Sequence, residues 1–82
     1  MPAALRIGDI DTARHRMITG SGNVTVNGIP VCTVGHIDNA RQPLLTGSST
    51  VMVNGVPVGR VLDIDVARHV KISGSPNVII GG

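Results

Sequence analysis

Thr19-Gly20-Ser21-Gly22-Asn23-Val24-Thr25-Val26-Asn27-Gly28-Ile29-Pro30-Val31 is the stretch whose reading decides the fold. A Gly-Ser turn feeds a short β-branched strand, and an Asn-Gly pair then reverses the chain. Asn-Gly is a strong hairpin signal because both central residues of such a turn need φ > 0. The stretch returns as Thr46-Gly47-Ser48-Ser49-Thr50-Val51-Met52-Val53-Asn54-Gly55-Val56-Pro57-Val58. A shortened copy follows as Ser73-Gly74-Ser75-Pro76-Asn77-Val78-Ile79-Ile80-Gly81-Gly82.

Upstream of each copy lies a second recurring block. Asp9-Ile10-Asp11-Thr12-Ala13-Arg14-His15 returns as His36-Ile37-Asp38-Asn39-Ala40-Arg41-Gln42 and again as Asp63-Ile64-Asp65-Val66-Ala67-Arg68-His69. The period is 27 residues. Residues 9–35 and 36–62 share 14 identities in 27 positions without a gap, which chance does not give. A period of this size marks an array of one supersecondary unit that cannot bury its apolar face alone.

The ends of the chain suggest how the array closes. The third copy stops before the Pro-Val segment, and a similar segment stands at the other end. Pro2-Ala3-Ala4-Leu5-Arg6-Ile7-Gly8-Asp9 resembles Pro30-Val31-Cys32-Thr33-Val34-Gly35-His36, with one extra residue. A strand over 77–80 is therefore expected to pair with one near 3–7, removing two free sheet edges. The expected architecture is all-β, a small pseudo-threefold structure of three repeats forming a single domain over residues 1–82.

Composition narrows the function classes. The sequence has no Phe, Tyr or Trp, so the core comes from Val, Ile, Leu, Met and Ala. With 82 residues, burial alone is barely sufficient, and a metal, a partner or tight closure would help. The net charge is only +2 and the basic residues are scattered. Without an aromatic stacking platform, nucleic acid is not expected as a partner. The single cysteine excludes an intrachain disulfide. The first residues lack the apolar run of a signal peptide, and no segment is long enough to span a bilayer as a helix. No nucleophile–base pair is suggested by spacing, and Gly20-Ser21-Gly22 precedes a strand rather than a helix. An enzyme is not expected.

Along the strands Val24 and Val26 alternate with Asn23 and Thr25, as a half-buried strand requires. Met52 and Ile79 interrupt the polar face in the other two copies. They either fill a gap in the core or form an exposed apolar patch for a partner. Asp11/Arg14, Asp38/Arg41 and Asp65/Arg68 recur in every unit and read as ion pairs or turn-capping contacts. A calcium site at Asp9-x-Asp11 and Asp63-x-Asp65 is the weaker alternative. It lacks the glycine spacing and terminal glutamate of an EF-hand loop.

These residues resemble the PAAR-repeat family, whose Pro-Ala-Ala-Arg motif stands here with one insertion as Pro2-Ala3-Ala4-Leu5-Arg6. The family's Gly-Ser-x-Asn-Val-x-Val-Asn-Gly-x-Pro pattern is matched at 20–30, nearly matched at 47–57 and shortened at 74–82. The resemblance covers almost the whole chain. It implies a small, pointed (conical) β protein on the blunt end of a trimeric β-helical spike, the tip of a type VI secretion system or contractile phage tail. Each repeat would meet one spike subunit, one chain per trimer, and the tip would pierce a target membrane. Such a protein would be made in the cytoplasm without a signal peptide, assembled on the spike and delivered outside the cell. The resemblance leaves open an adaptor that recruits effector proteins to the spike, and a free-standing metal-binding β protein.

The family commonly holds a structural zinc through His and Cys from the loops after Gly-Asp. This chain departs from that pattern, with Ala13, Ala40 and Ala67 at the usual ligand position. Two residues on stand His15, Gln42 and His69, and the second motif reads Gly35-His36. The set that the resemblance implies is His15, His36, His69 and Cys32, which suits zinc by ligand type. The plainer reading makes the histidines surface imidazoles and Cys32 a small buried hydrophobe.

Overall fold

Two Asn-Gly hairpins anchor the fold, which is described for residues 3–80 in a computed structural model. Strand β1 (Thr25–Val26) pairs antiparallel with β2 (Ile29–Pro30), and β3 (Met52–Val53) pairs with β4 (Val56–Pro57). Asn27 and Gly28 have φ of 55° and 77°, and Asn54 and Gly55 have 54° and 78°, the positive values that this turn demands. A serine prepares each strand. Ser21 Oγ accepts from the Asn23 and Val24 amides, Ser48 Oγ from Thr50 and Val51, and Ser75 Oγ from Asn77 and Val78.

The rest of the chain is joined by isolated antiparallel bridges between repeats, with no helix among the described residues. The protein is small and all-β. Ala3 pairs with Ile79, and the Ala4 amide donates to the Val78 carbonyl at 3.0 Å, so the two ends of the described chain lie side by side. The insertion read in the Pro-Ala-Ala segment has no counterpart here. The Val61 amide donates to the Ala3 carbonyl as Ile7 donates to Pro30 and Val34 to Pro57. Ala3, not Pro2, therefore stands at the place of Pro30 and Pro57, and the 27-residue offset runs unbroken.

Bonds between repeats close on themselves. The Cys32 amide donates to the Leu5 carbonyl, Gly59 to Cys32, and Leu5 to Gly59, at 2.9, 2.8 and 3.0 Å. A second set runs through hydroxyls. Thr19 Oγ1 accepts from the Ile37 amide, Thr46 Oγ1 from Ile64, and Ser73 Oγ from Ile10. Each repeat thus satisfies its neighbour's backbone donors, which a short two-stranded hairpin cannot do alone.

Two apolar clusters flank the backbone ring. One gathers Ala4, Val31, Val58 and Ile80 with the hairpin valines, and the other Leu5, Met17, Cys32 and Leu44. Gly59 stands in register with Leu5 and Cys32. A Cβ on it would lie 2.5 Å from Leu44 Cδ2 and 3.1 Å from Leu5 Cδ2, so the third position stays empty for the other two to fill. The described body measures 24 × 24 × 23 Å.

Candidate functional site

The repeated Asp-x-Ala-Arg loops build the site. In each loop one carboxylate oxygen caps the turn. Asp11 Oδ1 accepts from the Ala13 and His15 amides, Asp38 Oδ1 from Ala40 and Gln42, and Asp65 Oδ1 from Ala67 and His69, all at 2.8–3.0 Å. The residue at the close of each turn takes positive φ, 64° at Arg14, 62° at Arg41 and 64° at Arg68. The caps hold the aspartates inward, while all three arginines are exposed. The turn-capping expectation therefore describes these loops, and the Asp–Arg ion pairs do not form. Among the described residues, arginine salt bridges are Arg6–Asp9 and Arg60–Asp63 instead.

The other carboxylate oxygens converge. One carboxylate oxygen from each of Asp11, Asp38 and Asp65 lies within 4.8 Å of the other two, and all three residues are fully buried. Among them lies the Nζ of Lys71, the sole lysine of the sequence and itself 0% exposed. Nζ donates to Asp65 Oδ2 at 3.3 Å and to Asp11 Oδ2 at 3.4 Å, and stands 3.9 Å from Asp38 Oδ2. In the repeat register Lys71 occupies the place held by Met17 and Leu44, which lie in the second apolar cluster.

His15 and His69 close over the same oxygens. His15 Nδ1 is 3.6 Å from Asp11 Oδ2 and 3.7 Å from Asp38 Oδ2, and His69 Nδ1 is 3.5 Å from Asp65 Oδ2 and 3.7 Å from Asp11 Oδ2. The two rings meet edge to face with centroids 5.2 Å apart, and His69 Nδ1 lies 3.2 Å from Gln42 Oε1. Two buried atoms here have no hydrogen-bond partner, His15 Nδ1 and Asp38 Oδ2. Burial works to raise the Asp65 carboxyl. The His69 amide, the Lys71 ammonium and the Ala67 amide outweigh it and hold that carboxyl below the usual range.

The four expected zinc ligands part company. His15 and His69 come together, but His36 and Cys32 do not join them. His36 stands where the other repeats carry Asp9 and Asp63, and copies their task. Its Nδ1 accepts from the Thr33 amide at 2.9 Å, as Asp9 Oδ2 accepts from Arg6 and Asp63 Oδ2 from Arg60. Cys32 is packed with Leu5, Met17 and Leu44, and its thiol donates to the Thr19 carbonyl at 3.3 Å. Burial, with a smaller push from Asp9 against a pull from Lys71, drives the thiol up to about 12. A thiol held neutral is a poor metal ligand.

The donors close enough to share an ion are instead Asp11, His15 and His69, or Asp11, Asp38 and Asp65. The sequence reading weighed Asp11 and Asp65 as ligands only in the weaker calcium alternative, beside Asp9 and Asp63, and missed Asp38 as a ligand and Lys71 altogether. The available signal was a lone lysine at a position that is otherwise apolar in the repeat. Met52 and Ile79 are 57% and 55% exposed, so they lie on the surface and not in a core gap. No family model matches the chain, and no curated protein compared with it matches either.

Proposed function

We propose that the chain is a PAAR-like cap for the trimeric β-helical spike of a contractile injection machine. In this reading the three repeats stand about a pseudo-threefold axis, taper to a point and meet one spike subunit each. The observation that carries the reading is the closed cycle of amide-to-carbonyl bonds through Leu5, Cys32 and Gly59, positions 27 residues apart. A single chain that repeats one set of bonds three times can offer equivalent surfaces to three identical subunits. The exposed Met52 and Ile79, one in each of two repeats, supply apolar contact area for the spike end. The role is mechanical, with no reaction.

A structural zinc belongs to the same reading, with a changed ligand set. His15, His69 and Asp11 would hold it, and two buried atoms 3.7 Å apart at this cluster, His15 Nδ1 and Asp38 Oδ2, lack a hydrogen-bond partner. Separations of 3.6 and 3.7 Å from Asp11 Oδ2 to His15 Nδ1 and His69 Nδ1 suit an ion bonded to nitrogen and oxygen at about 2.0–2.2 Å. The ion would tie two loops together and supply no chemistry beyond that link.

Mixing the full chain with a candidate trimeric spike and weighing the complex by native mass spectrometry tests the cap. One chain per three spike subunits is expected, and a 3:3 complex or no complex would overturn the reading. Elemental analysis tests the zinc. About one equivalent, lost in the His15→Gln/His69→Gln variant, is expected, and none in a fully stable protein strikes the ion out.

A further inference from the structure

We propose that the Asp11–Asp38–Asp65 triangle is a cation site whose resident cation is the chain's own Lys71 ammonium. This proposal needs neither the spike nor the zinc. Three carboxylates with oxygens within 4.8 Å of one another repel strongly in a buried setting. Unpaired, such charges would neutralise or draw in a counter-ion. An ammonium has three donors and no acceptor, so one Nζ can serve three oxygens at once. Here it hydrogen-bonds two of them and lies 3.9 Å from the third. That third oxygen, Asp38 Oδ2, is fully buried and has no hydrogen-bond partner. It marks a site built for cationic company and only partly supplied by lysine.

The repeat shows how the cation was placed. Two units put Met17 and Leu44 at this register position, and the third puts Lys71. The aliphatic stem takes the place of the missing apolar side chain, and the charged head reaches the carboxylates. A chain of this kind keeps its loops drawn together with no metal present, because the cation cannot dissociate. Replacing Lys71 by methionine would restore the side chain of the first repeat and leave a cage of oxygen ligands. Such a cage suits a hard divalent cation.

Lys71→Met and Lys71→Leu in the full chain, stripped with EDTA, test this by thermal unfolding and by titration with calcium chloride. The wild-type midpoint, measured after the same stripping, is expected to ignore added calcium. The stripped variants should melt at least about 12 °C lower, as for loss of one partner of a buried ion pair in a small domain. They should then take up one calcium per chain and recover most of the loss. The same calcium response in a His15→Gln/His69→Gln/Lys71→Met background separates this site from the zinc reading, because oxygen ligands alone remain.

Wild-type protein gives an independent readout. With one lysine in the sequence, 15N-lysine labelling yields a single side-chain signal. A slowly exchanging ammonium resonance at neutral pH is expected, and a rapidly exchanging one would overturn the proposal. So would calcium stabilising wild type as much as the variants, stripped variants as stable as wild type, or variants that neither bind calcium nor fold in its presence.

Discussion

Asp65 stays ionised only because its neighbours outweigh its burial. Desolvation alone would raise the carboxyl, but the His69 amide, the Lys71 ammonium and the Ala67 amide favour the charged form and lower it. A carboxyl depressed in the folded state binds fewer protons there than in the unfolded chain. Its contribution is therefore complete above the ordinary value of 3.8 and is lost as pH falls through the depressed one. Denaturant unfolding at pH 7, 5 and 3 is expected to show stability nearly level between the first two and falling steeply toward the third. Asp65→Asn keeps an oxygen for the two capping amides and turns an amide toward Lys71. It should cost about 3–5 kcal/mol at pH 7 and flatten the acid slope. An unchanged slope in the variant would mean that Asp65 is not among the groups that couple folding to pH.

The element scale shows where the sequence was readable and where it was not. The hairpins were legible because Asn-Gly admits few other conformations, and the 27-residue period located both their positions and the meeting of residues 3–4 with 78–79. The loops that carry the site were legible only as turns. Spacing of three residues put Asp11 beside Arg14, but it could not say that the left-handed backbone at Arg14 sends one side chain outward while the caps hold the other inward. Which side of a loop faces the centre depends on its neighbours in the other repeats, and no local rule contains that information.

The unequal filling of the second cluster was hidden for the same reason. Leu5, Cys32 and Gly59 share a register, yet there is room for one large side chain among them. Gly59→Ala would bring a methyl to 2.5 Å from Leu44 Cδ2 and is expected to destabilise by about 1–3 kcal/mol. Shortening the obstructing side chain in Gly59→Ala/Leu44→Val should cost less than the two single changes added together. Additive losses would show that Gly59 is needed for some reason other than room.

Charge is the property that emerges only at the scale of the whole molecule. All five acidic residues of the sequence are buried, so a modest net charge of +2 understates the positive surface. Arg14, Arg41 and Arg68 are exposed on the three loops that wrap the central carboxylates, and Arg16 is exposed close by in sequence. These loops surround one cluster of carboxylates. In the spike-cap reading proposed above, these loops would present guanidinium groups to lipid phosphates, each worth about 1 kcal/mol near an anionic surface. Asparagine tolerates the left-handed conformation at all three sites, so Arg14→Asn/Arg41→Asn/Arg68→Asn removes charge without straining the turns. Wild-type protein is expected to bind vesicles rich in anionic lipid and to lose that binding as salt rises, with no binding to zwitterionic vesicles. The triple variant should bind the anionic vesicles about a hundredfold more weakly with an unchanged melting midpoint. Equal binding by variant and wild type, or equal binding to both kinds of vesicle, would remove these arginines from any role at a membrane.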